Sequence, residues 1–281
     1  MILVALLYLD TQTSILELPF SILYHAPMCI LAILFRSVDN CPVLVAANRE
    51  EYFDRPGTPP ELWDERAAFL AGRDQRGGGT WLGVNAHGVL AAVTNRPKPP
   101  LPAPRSRGLL CRDLLACRTA REAHERALHE LDRNSYAGCN VLVADAQGAY
   151  VVHAGELLRT CPLPPGLHVV TSHDLNDTSD ARTAHALARL AHVPSRTIDE
   201  CLAILPPLLS GHGGAGQPPI CLHAPNRGTV SSVIIALPRP PGQPRWLHAQ
   251  GPPCENPFSD FSKPLASLLS HPLSFVQAKD S

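Results

Sequence analysis

Short apolar runs alternate along the chain with polar, turn-forming clusters, and their spacing predicts paired strands. The run from Ile30 to Phe35 and that from Val43 to Ala47 flank Ser37-Val38-Asp39-Asn40, an opening hairpin whose second strand ends in charge at Asn48-Arg49-Glu50-Glu51. A second hairpin runs from Gly77-Gly78-Gly79-Thr80-Trp81-Leu82-Gly83-Val84 through Asn85-Ala86-His87-Gly88 to the apolar stretch ending at Asn95. The stretches 140–144 and 149–153, around Asp145-Ala146-Gln147-Gly148, predict a third, and further strands are expected over 167–171 and 230–237. Between them the pattern lengthens to the helical period. Residues 109–131 carry Leu110, Leu114, Leu115, Leu128 and Leu131 on one side; 179–190 and 197–209 follow, the last opening with Thr197-x-x-Glu200, the spacing of a capping box.

Hairpins interrupted by helices predict an α+β fold of mainly antiparallel sheets rather than a doubly wound parallel one. Residues 238–281, rich in Pro and Ser, predict a loose terminal segment, so the expected organisation is a single domain over 28–250 with a loose tail over 251–281.

Composition narrows the function classes. Twenty-four basic against twenty-five acidic side chains leave a net charge of −1, which gathers neither a phosphate backbone nor an anionic bilayer, so no nucleic-acid partner is expected. The apolar start, Met1 to Leu9, is broken by Asp10, well short of the ~20 residues needed to span a bilayer. Lys and Arg are absent before Arg36, which argues against a secretory signal. No integral membrane segment is expected. Nine cysteines without a C-x-x-C pair fit neither a disulfide framework nor a zinc ribbon, and point to a reducing, cytoplasmic setting. Among thirteen histidines, His124 and His129 are five apart and no H-E-x-x-H occurs, so neither metal nor cofactor is expected. Asp174, Asn176, Asp177 and Asp180 lack the glycine and terminal glutamate of a calcium loop and read better as the cap of the following helix.

The candidate chemistry lies at Met28-Cys29. If a chain starts at Met28 and loses that methionine, Cys29 carries a free α-amine, and one residue owns both nucleophile and base. A thiol of pKa near ~8.5 needs a base, and an α-amine near ~7.7–8.0 is one, as in the Thr–N-terminal-amine arrangement. A peptide bond upstream turns that amine into a non-basic amide. Residues 1–27 are therefore either an extension that silences Cys29 or a misassigned start.

Met28-Cys29-Ile30, the block Ala46-Ala47-Asn48-Arg49-Glu50-Glu51-Tyr52-Phe53-Asp54-Arg55-Pro56, then Ala71-Gly72-Arg73-Asp74, Gly78-Gly79-Thr80-Trp81-Leu82-Gly83-Val84 and Thr94-Asn95-Arg96 together resemble the NRDE family, also called Transport and Golgi organisation protein 2-like. The resemblance spans roughly residues 28–237 and is strongest up to Gly108. It implies an N-terminal-nucleophile (Ntn) hydrolase-like αββα four-layer sandwich, related in layout to cysteine penicillin V acylases and bile-salt hydrolases. It also implies a chain beginning at the Met-Cys step.

Carried over residue by residue, the resemblance makes Cys29 the nucleophile and Arg49 the arginine beside it, the alternative for Arg49 being an ion pair with Glu50 or Glu51. Glu50 stands where the family signature has aspartate. Asn95 resembles the asparagine that stabilises the oxyanion, against the alternative of a strand cap before Arg96-Pro97. His173, in Val170-Thr171-Ser172-His173-Asp174-Leu175, replaces an amide that serves the oxyanion. Gly78, Gly79, Trp81 and Arg96 are candidate substrate-binding residues, although Gly77-Gly78-Gly79 also reads as a flexible turn and Trp81 as core; no Gly-Lys-Ser/Thr follows the glycines, which excludes a P-loop. Val230 stands where the family usually has an arginine after Gly-Thr, and Arg227 precedes it.

Two functions are compatible with these features. One is a cysteine-nucleophile hydrolase of linear amide or related acyl bonds, acting on carbon–nitrogen bonds other than peptide bonds. The other is a non-catalytic carrier of haem-like or lipid ligands linked to secretory-pathway (Golgi) organisation.

Overall fold

Each apolar run predicted as a strand forms one, and the alternation within the runs decides which layer each side chain enters. The computed structural model of the protein describes residues 29–63, 67–102, 104–193, 196–214 and 216–270. The expected extension or misassigned start over residues 1–27 lies outside the described residues. In chain order the strands are β1 (Ile30–Val38), β2 (Cys41–Tyr52), β3 (Glu61–Trp63), β4 (Phe69–Ala71), β5 (Leu82–Asn85), β6 (Leu90–Asn95), β7 (Cys139–Ala144), β8 (Ala149–Ala154), β9 (Leu158–Pro162), β10 (Gly166–Val170), β11 (Arg227–Leu237), β12 (Arg245–Gln250) and β13 (Ser259–Asp260). The helices are α1 (Arg107–Leu114), α2 (Ala120–Arg133), α3 (Ala181–Leu190), α4 (Ile198–Leu209) and α5 (Ser262–Ser270).

Two antiparallel sheets result, one ordered β10-β1-β2-β11-β12-β13 and the other β3-β4-β5-β6-β7-β8-β9. Leu31, Ile33, Val43, Val45, Val233 and Ile235 of the first face Leu90, Ala92, Leu142 and Val151 of the second across a shared core. The alternate positions, Ile30, Ala32, Leu34, Leu44 and Ile234, pack under Ala186, Leu190, Cys201 and Leu205 of α3 and α4. On the other side Ala91, Val93, Val141 and Val143 pack under Leu110, Leu114, Ala123 and Ala127 of α1 and α2. The order helix, sheet, sheet, helix is the αββα sandwich. Its central strands are covered on both faces, so they read as unbroken apolar runs, as buried parallel strands usually do.

The helix predicted over 109–131 is two helices. Asn85 donates from Nδ2 to the carbonyls of Leu115 and Cys117 (2.9 and 2.7 Å), ending α1. Thr119 then accepts from the Glu122 amide and Asp145 from the Ala120 amide, starting α2. The capping box holds: Thr197 Oγ1 accepts from the Glu200 amide and the Glu200 carboxylate from the Thr197 amide. Asp180, one of the expected cap residues, accepts from the Thr183 amide at 2.9 Å at the head of α3.

The loose terminal segment expected from residue 238 needs correction over 245–270. There β12 pairs with β11, and Trp246, Leu265 and Leu268 are buried in the core between the sheets. Phe261, Leu265, Leu268 and Leu269 recur at helical spacing, a stripe that the Pro and Ser content around it masks. Residues 271–281 lie outside the described residues. No helix among the described residues is long and apolar enough to cross a membrane.

Candidate functional site

At one end of the sandwich the strands leave their apolar cores and become polar. Cys29 immediately precedes β1, where Ile30 is the partner of Asn48, so the cysteine comes opposite Arg49. Alternation along β2 divides four consecutive polar residues between two environments. Asn48 and Glu50 face the helices: Asn48 Nδ2 donates to the carbonyls of Leu209 and Ile220, and Glu50 accepts from Arg182 of α3 at 2.7 Å in a fully buried ion pair. Arg49 and Glu51 face the other way, into a chain of charges in which Arg49 lies 3.7 Å from Glu51, Glu51 3.4 Å from Arg55, and Arg55 2.6 Å from Asp74. Of the two partners weighed in the alternative reading of Arg49, Glu51 is the one within ion-pair distance.

A bulge in β11 completes this division. Thr229 pairs with Glu50 and Ser231 with Arg49, which leaves Val230 as the extra residue. The bulge turns Thr229 toward the helix side, where its hydroxyl donates to Glu50 Oε1 at 3.1 Å, while Val230 and Ser231 stay on the pocket side.

Cys29 is 6% exposed, and its Sγ lies 3.7 Å from the carbonyl oxygen of Glu50. Burial, reinforced by the negative charge of Glu50, pushes its pKa up to about 12, with the Arg49 cation pulling the other way. The thiol is thus protonated at neutral pH. Burial raises Glu50 to about 7 against the opposing pull of Arg182. Asp74 is held low, burial being outweighed by its hydrogen bond from Arg55 and by backbone amides at Gly77 and Arg76.

Cys29, Arg49, Asn95 and Trp81 line one small pocket of ≈ 50 Å³, together with Thr80 and Arg107. Arg49, Arg55, Asp74 and Trp81 also line a larger one of ≈ 180 Å³, walled on the far side by Val230, Ser231 and Gln250. The two pockets share Arg49, Arg55, Asp74 and Trp81 as walls.

The remaining sequence candidates sit elsewhere. His173 has its backbone carbonyl held by Asn140 and its ring 3.8 Å from Asp180; it does not line the pocket around Cys29. Gly79 is required for packing: a Cβ there would stand 2.1 Å from the carbonyl carbon of Gly108, where the 77–80 loop meets the start of α1. Gly78 has φ +66°, a turn conformation that favours glycine, and opens on free space. Arg96 pairs with Asp174 at 2.5 Å, donates to Asn140 and lines a separate ≈ 580 Å³ groove with Lys98 and Arg159. Arg227 pairs with Tyr52 at the start of β11 and lines neither pocket near Cys29.

Three charged residues escaped sequence reasoning. Arg55 and Asp74 stood inside the motif blocks, where their charge and position next to Pro56 and Arg73 were the available signal. Arg182, reaching Glu50 from 132 positions away, had none.

A family model described as Transport and Golgi organisation 2 matches residues 28–207. The Transport and Golgi organization protein 2 homolog of Homo sapiens is 28% identical over 246 residues, which cover 74% of this chain and 88% of the relative. That of Bos taurus is 26% identical over 251 residues, with the same shares. Among solved structures, the Caenorhabditis elegans ortholog of N-acylethanolamine-hydrolyzing acid amidase superposes with a TM-score of 0.50 at 14% identity, over 75% of this chain and 94% of its own. A mutant conjugated bile acid hydrolase from Clostridium perfringens does so with a TM-score of 0.50 at 11% identity, over 84% and 93%. At those identities the likeness is one of fold, the Ntn-hydrolase sandwich.

Proposed function

Because the chain belongs to the Transport and Golgi organisation 2 family and has an Ntn-hydrolase-like fold, we propose that it is a cysteine-nucleophile hydrolase of a linear amide or related acyl bond, active when the chain begins at Cys29. The observation that carries this reading is the convergence of Cys29, Arg49 and Asn95 on one pocket that shares walls with a larger one.

In the proposed reaction the α-amine of Cys29 takes the thiol proton and Sγ attacks the substrate carbonyl carbon. The carbonyl π pair moves to oxygen, where the Asn95 side-chain amide donates to it; such a donor contributes about 2.7–4 kcal/mol to lowering the barrier. Collapse of the tetrahedral intermediate breaks the carbon–nitrogen bond, the ammonium group protonating the departing amine. Water, deprotonated by the same amine, then releases the acid and restores the thiol. Arg49 holds the thiolate or a substrate carboxylate by charge-assisted hydrogen bonds. The family match opens at Met28, the boundary this chemistry requires. A thiol pushed to about 12 in a chain carrying upstream residues supports the view that the unprocessed form is inert.

The arginines, Asp74 and Gln250 around the larger pocket favour a small molecule with a polar head over a wholly apolar guest. Nine unpaired cysteines support a reducing, cytoplasmic setting.

The test compares the full chain with one opening at Cys29, each characterised by intact mass, on a panel of acyl amides. Turnover is expected only from the second, with complete loss in Cys29→Ala and a fall of about 10²–10³ in kcat in Asn95→Ala. Equal turnover by Cys29→Ala, or a native chain that never exposes Cys29, overturns the hydrolase and leaves a binder on the same scaffold.

A further inference from the structure

Outside that pocket, the segment between α4 and β11 meets the turn after β12, and there His223 and Cys254 are met by Cys221 on one side and by His212 on the other. Cys221 Sγ lies 3.5 Å from Cys254 Sγ and 3.6 Å from His223 Nε2, and His223 Nε2 lies 3.2 Å from Cys254 Sγ. The ligand atoms of His212, His223 and Cys254 all lie within 4.8 Å of one another, and the two imidazoles stack with centroids 5.1 Å apart. Two thiols and two imidazoles are a soft donor set suited to zinc, not to magnesium or calcium. Zinc holds such ligands at ~2.0–2.3 Å in a tetrahedron, which sets neighbouring ligand atoms roughly 3.3–3.8 Å apart. The three sulfur-containing edges fall at or close to that spacing, and the sulfurs stand well beyond the ~2.05 Å of a disulfide.

The supports around the cluster match what a metal site needs. While Nε2 of His223 faces the sulfurs, its Nδ1 lies 4.0 Å from the Glu255 carboxylate, the outer contact that orients a ligating imidazole. The Gly211 carbonyl accepts from the amides of Ile220 and Cys221, fixing Cys221 beside the residue that precedes His212. The Pro252 carbonyl accepts from the amides of Glu255 and Asn256, closing a tight turn around Cys254. His212 and His223 are exposed, giving an ion a way in.

We propose that Cys221, His223, Cys254 and His212 form a structural zinc site that staples the loop before β11 to the turn after β12. Binding displaces the two thiol protons to solvent and leaves the ion enclosed by four protein ligands. The staple braces the strands that carry Val230, Ser231 and Gln250, the far wall of the larger pocket, and it stands independently of any chemistry at Cys29. A search by sequence spacing misses it, because the cysteines are 33 residues apart and only a Cys-x-His pair is local.

The test uses the full chain, reduced and stripped of metal with a chelator, and titrates it with Co²⁺. One equivalent is expected to give tetrahedral d–d bands and a thiolate-to-metal charge-transfer band, both abolished by adding Zn²⁺. Cys254→Ser should remove about half of the charge-transfer intensity, leaving that of Cys221, and weaken Zn²⁺ binding beyond the ~10–100-fold that loss of an outer-shell partner costs. Glu255→Gln should fall within that range. His212→Ala, at an exposed position, gives the same readout in a variant whose fold is not at risk, with a changed d–d envelope and weaker Zn²⁺ binding. The proposal is overturned if the full chain takes up no Co²⁺, if the bands and the Zn²⁺ affinity are unchanged in Cys254→Ser and His212→Ala, or if Cys221 and Cys254 are recovered as a disulfide from reductant-treated protein.

Discussion

His153 is buried with both ring nitrogens engaged, Nδ1 2.8 Å from Asn140 Oδ1 and Nε2 accepting from the Leu175 amide at 3.4 Å. That pairing requires the neutral ring, and burial together with the nearby Arg96 cation lowers its pKa to about 4. A depressed histidine contributes stability that is present above its unfolded value of ~6.5 and is lost as pH falls through about 4. Glu50 acts in the opposite sense: raised to about 7, it contributes stability that is present below its ordinary value and is lost as pH rises through about 7. Between about pH 4.5 and 6.5 the two oppose each other, so single variants separate them. In denaturant titrations across this window, His153→Gln is expected to gain stability on acidification relative to the parent, and Glu50→Gln to lose it, each by at most about 1.4 kcal/mol per pH unit. Parallel curves for all three proteins contradict both assignments. At this scale the sequence was informative where one residue's chemistry is self-contained, as for sulfur and amine at Cys29. It was silent where a partner comes from far along the chain: nothing near Glu50 announces Arg182, and nothing near His153 announces the Leu175 amide.

Between single residues and the whole fold, the caps and close approaches decide where elements begin. The capping box of α4 was legible because all its participants lie within four residues, and Thr197→Ala is expected to cost about 0.5–2 kcal/mol, read as a lower denaturant midpoint at unchanged m-value. The break between α1 and α2 was not legible, because the side chain that ends α1 is Asn85, 30 residues earlier on another strand. Gly79 belongs to the same class: its lack of a side chain was read as room for a ligand, whereas the neighbour is the backbone of Gly108. Gly79→Ala is expected to destabilise by about 1–3 kcal/mol and to loosen the seating of α1, whose first residue, Arg107, lines the pocket around Cys29. A variant as stable as the parent removes that packing role.

The α+β layering was legible in hairpins interrupted by helices, whereas the four-layer order came only with the resemblance carried by the motif blocks, because strand pattern alone does not say how two sheets stack. The far end of the chain was not legible, because four apolar residues in a Pro- and Ser-rich background carry a weak signal. Their burial gives the expectation that Leu265→Ala, removing a fully buried side chain between the sheets, costs about 2–5 kcal/mol in denaturant unfolding. A cost near zero returns α5 to the status of an appendage.

The extra residue in β11 has a consequence of its own. Deleting Val230 would erase the bulge itself: Thr229 and Ser231 would become neighbours opposite Glu50 and Arg49, so every side chain would keep its face while the cavity lost one aliphatic wall and the strand its local kink. Flattening the bulge with Val230 retained would do the opposite, setting Val230 against Glu50, swinging Thr229 toward the cavity and inverting the stretch of chain that leads back toward His223, while everything beyond Ser231 kept its place.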